Sequence, residues 1–473
     1  MLKTMPAAVA ALTLALAACA TSPAPAPEAA EPRPSVTVVR DGDRWTAEYA
    51  LDRDAPYWAF FRSSLIDGSR RPWRLEQWRV ETPGVVLERI GGRDVLRAAD
   101  GGPVPRRVRI AFTPKTENLE ADYSTLVFTD GSVAVPSGIF DVFPLESAEE
   151  VAAAPDDLNG YPLRTGPAEV TWRDASGPIL FRGRRVPEAT EVQAETYVLF
   201  GQADIVEGER LTTVADPELP SWIGDAIEDF APRVADYYVR RLGPGETEHP
   251  TVMMSWGGPT PELSSMGGSV MPGLIVMNFE GVGVLQPSDE RLASARWFIG
   301  HESAHFWLGQ VVRYERARDA WITEGGADLM AIRALQAIDP AWDDRPELQK
   351  EVDDCARLAV KPVTGAAGRG EHRALYACGA AFALAAEGVQ KRTEGGDWFD
   401  FLRPLIDASR ADGVLTREEW LAGLDRLSGD PELRRLVEVL LDEGAEDAAG
   451  VIAALFDRAG VPSRRDGGRV ILI

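Results

Sequence analysis

Histidine is scarce in this chain, with four in 473 residues, and cysteine is scarcer still, with three. No two cysteines form a C-x-x-C pattern, which excludes a dithiol redox centre and a cysteine-built metal site. Positive charge is also short: 50 Lys and Arg against 74 Asp and Glu leave a formal net charge of −24. A nucleic-acid binder needs a basic footprint to neutralise phosphates, and this balance argues against one. The acidity describes instead a well-hydrated surface. Past the N-terminal segment no apolar run is long enough for a permanent membrane helix, and no internal repeat divides the chain. Hydrophobic residues make up 45% of the whole, enough for real cores, and this length predicts two or three domains.

Against that scarcity, two of the four histidines fall together in His301-Glu302-Ser303-Ala304-His305. On a helix, residues four apart project from one face a turn apart, so both rings reach a single ion. Phe298, Leu308 and Val312 are expected on the same helical stripe. Histidines facing a core are usually satisfied core groups, but this composition predicts fewer than ~0.01 accidental H-E-x-x-H patterns. Zinc, expected at one ion per chain, needs a third protein ligand and leaves its fourth position to water in a catalytic site. Glu324, separated from His305 by eighteen residues in Trp321-Ile322-Thr323-Glu324-Gly325-Gly326-Ala327-Asp328, is the candidate. A second helix folded back across the first closes a His₂Glu site. Glu302 cannot ligate the same ion from its place on the helix and is left as a general base.

These residues carry a family resemblance. H-E-S-A-H-F-W-L-G-Q-x-V followed by W-I-T-E-G-G-A is similar to H-E-x-x-H-x-W-x-G-N and W-x-x-E-G-x-A of the aminopeptidase N family of zinc metallopeptidases, the gluzincin aminopeptidases. Ala304, Trp307, Gly309, Val312, Trp321, Glu324, Gly325 and Ala327 fall where that family has them. Gln310 and Thr323 replace its asparagines, and Gly326 its aromatic. Asp328 resembles the thermolysin arrangement, in which such a carboxylate orients a ligand histidine. The stretch Ala374 to Phe382 is similar to the family's Y-E-K-G helix, which implies that Tyr376 stabilises the oxyanion; Cys378 stands where the family has lysine. The segment before the histidines resembles the family's substrate strand, G-A-M-E-N, and implies substrate contacts from Gly267, Gly268, Ser269 and Val270. There Val270 occupies the place of the glutamate that binds a free α-amine in that family. Glu280 and Glu262 are the carboxylates near enough in sequence to replace it.

The start reads as a targeting segment. Lys3 supplies a positive charge, Ala7 to Ala18 an apolar run, and Leu16-Ala17-Ala18-Cys19 resembles the lipobox of bacterial lipoproteins. Residues 1–19 are thus expected to be a signal peptide and 20–34 a Pro/Ala-rich linker. Cys19 becomes a lipid anchor, the sole membrane contact, and Ala20 after it favours the outer membrane facing the periplasm. The remaining cysteines, Cys355 and Cys378, are expected as two buried free thiols, with a disulfide as the alternative in an oxidising compartment.

Short β-branched and aromatic segments, among them SVTVVR, WTAEYAL, RRVRIAF, EVTWRD and ETYVLFG, fill residues 35–216 and predict an all-β domain. The resemblance gives it a saddle or sandwich form. Apolar residues at helical spacing begin with Ile223, Ile227, Phe230 and Val234 and dominate the C-terminal half. The expected fold is therefore multidomain α+β, with a thermolysin-like mixed α/β catalytic domain over residues 217–473 that is mainly helical in its second half. The resemblance implies a short form lacking the family's C-terminal helical domain. It also implies a peptidase acting on a peptide or protein. The alternatives are a non-catalytic zinc-containing binding protein, and an endopeptidase or other hydrolase, since the amine-binding glutamate is missing.

Overall fold

The computed structural model describes residues 33–473 except 121, 159–160, 194, 210, 246–248 and 262–264. Cys19, the signal segment, most of the linker and Glu262 lie outside the described residues.

The N-terminal region is built of sheets. Six strands run in the order Glu188–Val192, Glu169–Asp174, Ser35–Asp41, Arg44–Ala50, Arg107–Phe112, Trp78–Val80. A four-stranded sheet runs Val142–Leu145, Tyr57–Phe60, Arg93–Ala98, Val85–Ile90, and a five-stranded one Arg184–Val186, Ile179–Phe181, Tyr197–Phe200, Val133–Pro136, Leu126–Val127. One core joins all three, filled by Trp58, Phe60, Trp172 and Phe200. Inside it the fully buried Arg74 is paired with Asp94 at 2.9 Å and lies over the rings of Phe60, Trp73 and Trp78.

Alternation explains how the next layers are added. In Val133–Pro136 and Tyr197–Phe200 both faces are apolar. Val133, Val135, Val198 and Phe200 enter the β core, while Ala134, Tyr197 and Leu199 face the other way. Residues that alternate across a strand must bury two faces when both are apolar, so this sheet is sandwiched. Its second partner is a mixed sheet ordered Val206–Glu207, Thr212–Ala215, Thr251–Trp256, Leu274–Glu280, Ser265–Met271. Here Met253, Met271, Leu274 and Val276 meet the five-stranded sheet, whereas Val252, Met254, Ile275, Met277 and Phe279 meet the helices. Thr212–Ala215 precedes the boundary that the sequence suggests at residue 216, yet it pairs in parallel with Thr251–Trp256. Asp216, buried, accepts from the Thr129 N–H (2.8 Å) and the Trp256 N–H (3.3 Å), one on each side of that junction.

Helices fill the C-terminal half, as expected: Ser221–Leu242, Asp289–Ala304, Trp321–Ile338, Arg345–Leu358 and Arg373–Thr393 are the ones that matter for the site. No helix among the described residues is long and apolar enough to cross a membrane.

Two expectations are corrected. The histidine-bearing helix ends at Ala304, with His305 at its C-cap, so Leu308 and Val312 do not continue its stripe. The chain turns because the His305 ring bonds to the Leu308 carbonyl at 2.7 Å and Gly309 adopts a φ of 148°. Leu308 and Val312 are buried all the same, bridged to each other. Second, Cys355 and Cys378 are not free thiols but form a disulfide between two packed helices, with Cα atoms 4.6 Å apart. Spacing in sequence carries no information on that distance. Closing a loop of this length stabilises the folded state by about 3.5 kcal/mol on the chain-entropy account.

Candidate active site

The site begins where the two central helices touch. A Cβ on Gly300 would stand 3.2 Å from the Ala331 Cα, so the helix of His301 approaches the helix of Glu324 almost backbone to backbone. Gly325 and Gly379 do the same for the next pair: a side chain on Gly325 would collide with the backbone at Gly379 and Ala380. Helix Arg373–Thr393 therefore crosses Trp321–Ile338 closely, and Tyr376, one turn before Gly379, is carried to Glu324.

At this junction His301, His305 and Glu324 converge, their ligating atoms all within 4.8 Å of one another. His301 Nε2 is 3.1 Å from His305 Nε2, and Glu324 Oε2 is 3.6 and 3.4 Å from the two nitrogens. Tetrahedral ligands ~2.1 Å from one zinc ion stand about 3.4 Å apart, which is the spacing found. The outer ring nitrogens are already committed. His301 Nδ1 faces Asp328 Oδ1 at 2.8 Å and His305 Nδ1 the Leu308 carbonyl at 2.7 Å. With protons on both Nδ1 atoms, two lone pairs point at one another beside a carboxylate, an arrangement that needs a cation. Electrostatics agrees. Burial opposes charging His301, but Asp328, Glu324 and Glu302 outweigh it and raise its proton affinity well above that of an ordinary imidazole. His305 is raised similarly, Glu324 being the chief opponent of burial there. The residues present fit zinc.

Glu302 is 5% exposed, beside both rings. Burial, seconded by Glu324 and Asp328, raises its carboxyl above the usual range against the pull of the two histidines. Above it runs the edge strand Ser265–Met271, antiparallel to Leu274–Glu280. A Cβ on Gly268 would lie 2.6 Å from Glu302 Oε1 and from Phe298 Cζ, so only glycine lets the strand pass this close. Val270, two residues on, shares that face and packs partly buried against the helical core. Gly267 and Ser269 face the other way; a Cβ on Gly267 would meet Asn278 Oδ1 at 2.5 Å. Glu280 accepts from the Thr260 hydroxyl at 2.5 Å.

Tyr376 stacks on His301, ring centroids 5.8 Å apart at 20°, and Trp297 lies 5.6 Å from the same imidazole. The charge of Glu324, then burial, holds its phenol well above the ordinary value, so it stays protonated.

Sequence reading missed several members. Asp328 is fully buried, and Arg373 stands 3.6 Å from its second oxygen, which has no hydrogen-bond partner. Arg373 is held in turn by Glu351 (2.5 Å) and Asp354 (3.0 Å) of the disulfide-linked helix. Three carboxylates around one guanidinium leave two in excess: burial and Asp328 push Glu351 up to about 8. The signal available was spacing, since Arg373 precedes Tyr376 by three residues on one helix. Arg373→Gln leaves Asp328 without its nearest cation; the expected result is a 10- to 100-fold weaker zinc affinity, the usual effect of disturbing a group behind a ligand, read by zinc titration. Gln310 was noted only as a replacement for asparagine. It donates to the Met271 carbonyl at 2.8 Å and ties the chain after His305 to the edge strand. From the N-terminal region, the Asp157 carboxylate accepts from the Ala317 N–H at 3.0 Å, and the charge of Glu324 reaches Tyr123 as well as Tyr314.

No family model matches this sequence, and no curated protein matches it. Solved structures do. An aminopeptidase N family protein from Idiomarina loihiensis superposes with a TM-score of 0.60 at 10% identity, over 89% of this chain and 78% of that one. An M1 zinc metallopeptidase from Deinococcus radiodurans aligns over 86% of this chain and 92% of its own at 15% identity, with a TM-score of 0.48. Sheets first, helices after, and the Idiomarina superposition together say that this chain has the fold of the aminopeptidase N family.

Proposed function

We propose that the protein is a zinc-dependent peptidase. The observation that carries this reading is Glu302, a buried carboxylate beside the convergence of His301, His305 and Glu324 and directly under the exposed edge of a β-strand. A purely structural zinc site has four protein ligands and no use for a fifth, unligated acid. The three ligands are unequally covered: side-chain exposure is 5% at His301 but 14% at His305 and 21% at Glu324, so the cluster opens on one side. An extended peptide enters there by pairing with the outer side of Ser265–Met271, which has no neighbouring strand among the described residues.

His301, His305 and Glu324 would hold zinc, which would supply Lewis acidity to the scissile carbonyl and to a water. Glu302, beside the three ligands without being one of them, takes the water's proton and delivers it to the leaving amine. Tyr376 donates its phenolic proton in a hydrogen bond to the oxygen that becomes negative, a contact strongest in the transition state. Asp328 orients His301, and Arg373 orients Asp328.

Specificity follows from Val270. It offers no acceptor to a substrate ammonium, and Glu280 is engaged with Thr260. An unpaired ammonium facing an apolar side chain loses at least ~1–3 kcal/mol, so a free N-terminus gains no large advantage here. Matched peptides with free and acetylated N-termini are expected to differ in kcat/KM by less than a hundredfold, about 2.7 kcal/mol. A larger preference for the free amine overturns this specificity.

The same proposal sets the chain at the bacterial cell envelope through Cys19. The disulfide between Cys355 and Cys378 supports an oxidising compartment. Expressed in a Gram-negative host, the protein is expected in membranes carrying labelled fatty acid, and Cys19→Ser unlabelled, either released or left as the unprocessed precursor. An unlabelled, soluble wild-type product refutes the anchor.

A further inference from the structure

The helix of His301 and the helix of Glu324 touch at Gly300 and Ala331 and then diverge. Two turns before Gly300, near Leu292, the gap between them has become a cleft of about 530 Å³, closed on its third side by helix Ser221–Leu242. This volume lies within the range of small-molecule sites. The cleft is separate from the catalytic face: Asp289, Leu292 and Arg296 line it at helical spacing, whereas Trp297 and His301 point to the metal ligands. Both helices that carry ligands thus have their opposite ends in one cavity.

Its chemistry is specific. Four charged side chains line it, Arg233 and Arg296 against Asp289 and Asp339. Both signs are present, so the cleft offers a partner to each charge of a zwitterion. Arg233 is occupied, paired with Asp229 at 3.1 Å and donating to the Ile338 carbonyl at 3.3 Å. Arg296 is not. Among the described residues its guanidinium makes no hydrogen bond and only a loose pair with Asp339 at 3.8 Å. Its planar fork lies 6.0 Å from the Phe230 ring and is preset for a carboxylate. Phe230 and the half-buried Trp342 supply an apolar wall. We propose that this cleft binds a zwitterionic α-amino acid with a large apolar side chain: the carboxylate on Arg296, the ammonium between Asp289 and Asp339, the side chain against Phe230 and Trp342.

That such a ligand is also a product of the enzyme rests on the peptidase reading; the binding does not, and it is measured without turnover. Calorimetric titration of the full-length protein with L-phenylalanine is the test. Phenylalaninamide lacks the carboxylate charge and N-acetylphenylalanine the ammonium, and each is expected to bind at least tenfold more weakly. Trp342→Ala and Arg296→Gln are expected to lose binding, as is Ala341→Trp, which fills the opening from its exposed rim. Glu324→Ala is expected to bind as the wild type does, which separates the cleft from the catalytic face. The proposal is overturned if phenylalanine shows no saturable binding, if the amide and the acetyl derivative bind equally well, if all three cleft variants still bind, or if Glu324→Ala abolishes binding.

Discussion

Glu302→Gln is expected to keep its zinc and lose ~10²–10⁴ in kcat, the range of a general acid-base residue. The substitution is close to isosteric, so Phe298 and the strand at Gly268, both packed on this side chain, keep their places. What changes is proton affinity. The wild-type carboxylate can accept the water's proton and pass it on; an amide accepts no proton at all. KM is expected to change little, because Glu302 acts on water and the leaving group. Turnover of a broad peptide library by both proteins, with zinc content measured on the same samples, gives the answer. Equal rates would eliminate this mechanism, whereas an inactive wild type with full zinc would favour a binding protein.

Removing a ligand should act earlier. His301→Ala, His305→Ala and Glu324→Ala are each expected to lower zinc from close to one per chain to background, and activity with it. Stability supplies a second readout. Zinc at a thousand times its dissociation constant stabilises the folded state by about 4 kcal/mol, so chelation should lower the melting temperature of the wild type and leave the three variants unmoved. Full zinc retention in all three variants would mean that the ion sits elsewhere.

The cluster of His301, His305 and Glu324 was legible because metal chemistry calls for a local pattern: two rings one turn apart, and a carboxylate in the first turn of a following helix. The strands were legible where burial is one-sided or two-sided in a regular way, as in Thr251–Trp256. What escaped was set by approach between distant segments. Arg373 matters only because Gly325 and Gly379 let two helices cross at backbone distance. Cys355 and Cys378 join only because those same helices pack against a third. The turn after His305 escaped for another reason: Leu308 and Val312 are apolar and buried, which satisfies a helical pattern equally well, and the bond from the His305 ring to the Leu308 carbonyl and the φ of Gly309 decide against it.

The carboxylate of Asp216 has a consequence for the molecule as a machine of two parts. A chain break placed at this residue, where composition changes from strand to helix, would take Thr212–Ala215 out of the sheet that holds the edge strand Ser265–Met271 and expose Met253, Met271, Leu274 and Val276 to water. It would also cut the tie from Thr129 to Trp256. Met271 is the last residue of the edge strand and the one that Gln310 grips. The N-terminal sheets are therefore the bed on which the edge strand Ser265–Met271 is laid, and the C-terminal half is not a freestanding module that could be transplanted without them.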